Sequence, residues 1–162
     1  MADITVTRRA LQVEHVRIDS TKTFAEVQAA LDRTVPPIEL SINAALASVE
    51  EQRATASERR PKLFVFLKRD HGALLQVTGR PAKVVQYEIG NPLTAMRVTR
   101  FQLPAALYAP LRVVLYENAA GGATFEYDKP STLFGQFGDE ELAALGREVD
   151  AELEAALRHA AE

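Results

Sequence analysis

No cysteine occurs anywhere in the sequence. Disulfides, thiolate metal sites and cysteine nucleophiles are thereby excluded, and the composition suits the cytoplasm, the expected location. Long hydrophobic runs are also missing. The longest that reads as one element, Leu63–Leu67, is far too short to span a bilayer, and Leu103–Leu111 is broken by Pro104 and Pro110 and followed by Arg112. The first residues, Met1-Ala2-Asp3-Ile4, carry an early acid and no apolar leader core, so a soluble protein with no membrane partner is expected. There is no G-x-G-x-x-G, no Walker loop and no G-x-S-x-G elbow, which removes the best support for nucleotide-dependent or common hydrolase chemistry. The three histidines, His15, His71 and His159, show neither H-x-H nor H-E-x-x-H spacing. The spacing therefore supports no metal site. One would have to be assembled across the fold from His71 with Asp70, Glu126 or Asp128. A dense Lys/Arg stripe is absent too, so no nucleic-acid partner is expected.

What is present describes an ordinary folded domain. The 162 residues are 47% hydrophobic and 25% charged, which argues against disorder and fits a single domain over 1–162. A chain of this length buries roughly two-thirds of its unfolded surface and needs no staple. Its net charge of −3 is spread unevenly. Residues 1–60 hold 8 basic and 9 acidic side chains, 61–137 hold 9 and 5, and 138–162 hold 2 and 8. The acidic tail reads as an exposed helix face. The mildly basic middle reads, more sharply, as attraction for an anionic ligand.

Periodicity and punctuation place the elements. Leu11–Ile18 alternates as a first strand, with a bulge or change of face near His15. Thr23 followed by Glu26 forms a capping box ahead of a helix whose Phe24, Val27 and Leu31 share a face. Pro36-Pro37 ends that helix and opens another, in which Ile38, Ile42, Ala45, Leu46 and Val49 recur at helical spacing before the polar stretch 50–60. The core of the domain is thus about 10–158, with a helical insert and polar loop at about 37–60. Leu63–Leu67, continuously apolar, reads as an interior strand. Lys68–Gly72 is its polar exit, and Ala73–Val77 one or two helical turns. Ala82–Ile89 is a strand with Val85, Tyr87 and Ile89 on one face. Asn91-Pro92 starts a helix, Asn91 capping and Pro92 at the first position, with Leu93, Met96 and Arg100 sharing a face. Leu111–Glu117 and Ala123–Asp128 form a hairpin around Asn118–Gly122. Asp139 caps a long final helix with Glu140 and Glu141 in its first turn and an apolar stripe of Leu142, Leu145, Val149, Leu153 and Leu157.

These segments carry a likeness. The strand–loop LFVFLKRDHG, the junction QYEIGNP, the hairpin APLRVVLYE…FEYDKP and the segment Ser131–Phe137 together make the chain resemble the family of domains of unknown function 302, over roughly residues 10–158. The resemblance implies an α+β fold: an antiparallel sheet of four to five strands with helices packed on one face, in a TATA-binding-protein-like topology, with a long C-terminal helix. It also implies a homodimer. It supplies no catalytic set and names no cofactor, and fold likeness does not license DNA binding.

Candidate site residues lie at strand ends. Asp70 and His71 follow the Leu63–Leu67 strand, where an acid beside an imidazole can orient it for acid–base work or bind a cation or phosphate; the alternative is an ordinary turn with His71 solvated. Tyr87, Arg112, Tyr116, Glu126 and Tyr127 lie in strands. An arginine with tyrosines can clamp a carboxylate or phosphate, while a cross-strand Arg–Glu or Arg–Tyr pair is the plainer reading. Asn91 at a helix start either binds an anion or simply caps. Leu133–Phe137 must bury its large side chains in the core, over a pocket, or against a second subunit. The leading expectation is a homodimeric domain that binds a small polar or anionic molecule, with Tyr87, Asn91, Arg112, Tyr116 and Glu126 as ligand-binding residues and a pocket near Asp70, His71, Tyr87, Asn91 and Arg112. The alternatives are an enzyme using Asp70 and His71 as an acid–base pair, and an interaction module built on Leu133–Phe137 or Ile38–Val49.

Overall fold

The computed structural model describes residues 2–38, Ala47 and 62–162. The expected helix and polar loop between Ile38 and Arg60, with its proposed contact face, therefore fall largely outside the described residues. In chain order the elements are β1 (His15–Ser20), α1 (Phe24–Thr34), β2 (Phe64–Asp70), α2 (His71–Leu75), β3 (Val84–Gly90), α3 (Pro92–Phe101), β4 (Leu111–Glu117), β5 (Ala123–Asp128), α4 (Pro130–Phe134) and α5 (Glu140–Ala161). Short 3₁₀ turns at Gln76–Thr78, Leu103–Tyr108 and Gly135–Phe137 link them. The described strands form one five-stranded sheet in the order β1-β5-β4-β3-β2, each neighbouring pair antiparallel. No helix among the described residues is long and apolar enough to cross a membrane.

Local chemistry sets the boundaries. Thr23 Oγ1 accepts from Glu26 N while the Glu26 carboxylate accepts from Thr23 N at 2.9 Å, so the expected capping box opens α1. Asn91 Oδ1 accepts from Leu93 N at 2.8 Å, with Pro92 in the first turn of α3. Asp139 Oδ1 accepts from Leu142 N at 3.0 Å at the start of α5. The β4–β5 loop is organised by Asn118, whose Oδ1 accepts from both Ala120 N and Gly122 N, while Gly121 takes a left-handed φ of 82°.

The core lies between one face of the sheet and the helices. Val85, Tyr87 and Ile89 of β3, Val113 and Leu115 of β4, and Phe125 and Tyr127 of β5 are buried there. The stripe expected on α5 is buried in full, from Leu142 through Leu145, Val149 and Leu153 to Leu157. Phe24, Val27 and Leu31 bring α1 into the same layer. Leu133–Phe137 resolves as core packing: Phe134 is buried, and Phe137 packs a tilted ring against Tyr108, 6.4 Å between centroids.

Three expectations are corrected. The first strand begins at His15 rather than Leu11. Its partner β5 stops at Asp128, Lys129 N adds one last bond to Glu14 O, and Pro130 has no N–H to continue the ladder. Among the described strands the Leu63–Leu67 strand is an edge strand rather than an interior one. Its outer side is covered locally by the chain at Pro36–Ile38, through Val65 N to Pro36 O at 2.9 Å and Ile38 N to Val65 O at 3.0 Å. That cover, and a register shift between Val65 and Leu67, explain why an edge strand carries an apolar run. In α3 the buried positions are Pro92 and Val98, whereas Met96 and Arg100 are exposed.

Close approach of α4 to α5 depends on Gly146, where an added Cβ would lie 2.8 Å from Ser131 Cα. Gly135 has the helical dihedrals φ −60° and ψ −20°, and a Cβ there meets nothing within 4 Å. Gly146→Ala is therefore expected to destabilise by about 1–3 kcal/mol through forced backbone movement. Gly135→Ala should be neutral or stabilise by about 0.4–1 kcal/mol by restricting the unfolded chain. Urea midpoints of the two variants against the parent check both signs.

Candidate functional site

The sheet separates the expected site residues. Successive side chains on a strand point to opposite faces, and directly paired residues share one. Tyr87 pairs with Val113 and lies on the helix-covered face, fully buried. Arg112 pairs with Glu88 and is exposed on the open face. Tyr87 and Arg112 therefore cannot line one pocket, and the expected common pocket of Asp70, His71, Tyr87, Asn91 and Arg112 is not formed. The Asp70–His71 dyad is not formed either. Asp70 Oδ1 accepts from Ala73 N at 3.0 Å and caps α2, while His71 is exposed as the first residue of that helix. Nor does His71 approach Glu126 or Asp128: β2 and β5 are three strand spacings apart, roughly 14 Å.

Two of the expected residues, Tyr116 and Glu126, do meet, on the open face. Tyr116 Oη donates to Glu126 Oε1 at 2.5 Å. The other carboxylate oxygen lies 3.0 Å from His15 Nε2, and His15 Nδ1 lies 3.0 Å from Asp128 Oδ1. One row further on, Arg17 forks onto Asp19 at 2.9–3.0 Å. Asp19 in turn accepts at 2.6 Å from Thr124, whose side chain is completely buried. In the sequence His15 marks a bulge or change of face and shows no metal-ligand spacing. Its partners lie 111 and 113 residues away, a juxtaposition that only the β1–β5 pairing creates.

Electrostatics follow from these bonds. The Asp128 and Glu126 carboxylates raise the His15 imidazolium above its ordinary 6.5. The Tyr116 hydroxyl, then His15, hold Glu126 below its ordinary 4.5. The same short bond, together with desolvation, raises Tyr116. Tyr87 sits apart under α1, its Oη 3.4 Å from both Asp32 Oδ1 and Gln28 Nε2, with Lys68 Nζ 5.4 Å above the ring and 2.7 Å from Asp32. Burial pushes its hydroxyl up.

Asn91 marks a cleft. At one end of the sheet, Leu63, Phe66, Gly90, Val98, Pro110 and Phe134 wall a largely apolar space of about 60 Å³, with Asn91, Thr94 and Glu152 as its polar members. Asn91 is fully engaged: besides its cap, its Nδ2 donates to Lys62 O at 2.8 Å. Lys62 Nζ stands 3.3 Å from Glu152. Geometrically this place offers an apolar recess with a polar rim, whereas the open face offers a hydrogen-bonded array of charged side chains. Among the described residues no three His, Asp or Glu side chains are grouped to hold a metal.

The His15 cluster has a defined pH signature. A raised imidazole stabilises the fold fully below its unfolded value of 6.5 and loses that contribution as pH climbs through the folded value. A lowered Glu126 stabilises above its unfolded 4.5 and loses that contribution as pH falls through the folded value. His15→Gln should therefore cost most between these limits, and the deficit should fade at alkaline pH. With the His15 side chain 56% exposed, the cost is expected at only about 0.2–1 kcal/mol. Chemical denaturation across pH, with NMR titration of the imidazole in the parent and in Asp128→Asn, checks the sign. The asparagine should draw the imidazole back toward its ordinary value.

No curated protein matches this chain. Among solved structures it is similar to a Bacillus stearothermophilus crystal structure described as an uncharacterized conserved protein DUF302. The TM-score is 0.66 and the identity 20%, over 90% of this chain and 97% of that one. That likeness shows a shared fold. A family model described as "Domain of unknown function DUF302" matches residues 16–160, nearly the whole of the sheet and helix layer traced above, and the chain belongs to that family.

Proposed function

We propose that the protein is a small-molecule-binding domain, active in a reducing compartment such as the cytoplasm, whose ligand seats a short apolar group in the cleft beside Asn91. The apolar recess itself carries this reading. Its volume of about 60 Å³ is well below the roughly 150 Å³ of a cavity that accepts benzene, so it admits a short alkyl or acyl group rather than a whole ligand. The polar remainder of the ligand lies outside, where Thr94 and Glu152 form the rim and Lys62 stands 3.3 Å from Glu152. This differs from the anion clamp read from the sequence. Arg112 and Tyr116 stand on the other face of the sheet, and the wall of the recess favours hydrocarbon. Asn91 holds the mouth open by fixing Lys62 to the start of α3 and does not bind an anion itself. Support for an acid–base enzyme at Asp70 and His71 is lost with the Asp70 cap.

Butyrate, butanol and butylamine share one apolar group and differ in the charge of the polar end. Titrated into labelled protein, at least one is expected to shift the amide resonances of Gly90, Thr94 and Val98. Ala95→Leu, which fills the recess from α3, should abolish the shifts while leaving the fold intact. The preferred polar end then reports whether Lys62 or Glu152 faces the ligand. If none of the three perturbs these amides at millimolar concentration, the reading fails.

A further inference from the structure

The recess beside Asn91 is bordered by a pair of opposite charges. Glu152 of α5 lines it directly, and Lys62, just ahead of β2, holds its Nζ 3.3 Å from Glu152 Oε1. The next acid along the same side of α5, Glu148, is engaged by Arg97 of α3 at 3.7 Å. Asn91 is engaged by Leu93 N and Lys62 O. The polar side chains left for a ligand at the mouth are therefore the Lys62–Glu152 pair and the Thr94 hydroxyl. With side-chain exposures of 69% and 31%, the two charges reach solvent and hold each other only weakly, and the long Lys62 stem swings aside without disturbing the core.

An opposite-charge pair beside an apolar recess suits a particular ligand. A carboxylate takes Lys62 from Glu152 and leaves that acid without its partner. An ammonium takes Glu152 and leaves Lys62. A zwitterion takes both, so every charge keeps a counter-ion, and the Thr94 hydroxyl donates to its carboxylate or accepts from its ammonium. Position narrows the class. Glu152 belongs to the wall of the recess itself, so the ligand's charges begin where its hydrocarbon ends, on the carbon that bears the alkyl group. Size narrows it again. A recess of about 60 Å³ admits a short aliphatic side chain and excludes an aromatic ring, which needs a cavity of roughly 150 Å³.

We propose that the recess binds a free α-amino acid with a short aliphatic side chain, an assignment that rests on the small-molecule reading of the cleft. The alkyl group sits against α3 and the ends of β3 and β4, the ammonium bonds to Glu152, and the carboxylate bonds to Lys62.

Norvaline, butyrate and butylamine carry the same propyl group and differ in the charges beside it, and glycine carries both charges without the propyl group. Titrated into the full labelled chain, norvaline is expected to shift the Gly90, Thr94 and Val98 amides with an affinity about tenfold or more above either singly charged analogue. Glycine should shift them far less, and phenylalanine not at all. Lys62→Gln should remove the advantage of norvaline over butylamine, and Glu152→Gln its advantage over butyrate. Both side chains reach solvent, so each variant should keep the parent circular dichroism spectrum. Butyrate or butylamine binding as tightly as norvaline overturns the amino-acid assignment while the recess reading stands. An advantage that survives substitution of its counter-ion overturns it too, as does glycine or phenylalanine binding as tightly as norvaline. If norvaline and both analogues leave these amides unmoved, the recess reading fails and the assignment with it.

Discussion

Everything in this fold hangs on the contact between the apolar stripe of α5 and one face of the sheet. Leu142, Leu145, Val149, Leu153 and Leu157 are all buried, and each contributes on the order of 1.5–3 kcal/mol by leaving water. A single 22-residue helix running the length of the layer fixes which sheet face is inside. Once that face is chosen, parity along every strand decides the fate of the remaining side chains. Tyr87 goes under the helices, and Arg112, Tyr116, Glu126 and His15 go to the open side. The recess arises at the margin of the same contact, where Val149 and Glu152 of α5 and Val98 of α3 come to the ends of β3 and β4 without closing over Gly90.

The open face of the sheet carries mostly polar and charged side chains. Its rows alternate in charge across strands: His15, Asp128, Arg112 and Glu88 in one, Arg17 and Glu126 in the next. Such a mosaic favours water and offers little hydrocarbon to a partner approaching face-on. The buried Thr124 hydroxyl is the exception, and it is satisfied by Asp19 and by Asn118 Nδ2. Among the described residues no buried side-chain nitrogen or oxygen is left without a partner, so the polar groups that remain reactive are the exposed ones.

Local signals were readable from the sequence, and pairings were not. The Thr23–Glu26 box, the Asn91-Pro92 start, the Asp139 cap, the β4–β5 hairpin and the α5 stripe are written within a few residues of where they act, and each stands as read. The errors concern partners far along the chain. That Leu63–Leu67 lies at an edge depends on Pro36–Ile38, and the start of the first strand depends on where Pro130 ends β5. Asp70 beside His71 looked like a dyad because adjacent letters suggest adjacent side chains, yet the nearest free donor to Asp70 was the Ala73 amide of its own turn. The sequence points to Tyr116 and Glu126 as ligand-binding residues beside Arg112. They do touch, but the third member of their group is His15, which no spacing pattern could supply.

The recess and the β1 edge stand at opposite sides of the sheet. Between them lies the fully paired ladder of β3, β4 and β5 over a close-packed layer of Val113, Leu115 and Phe125. Coupling between distant sites requires an element that both sites bias between two states. The recess therefore depends on the gap that α5 leaves at Gly90 and on its own walls, independently of the β1 edge.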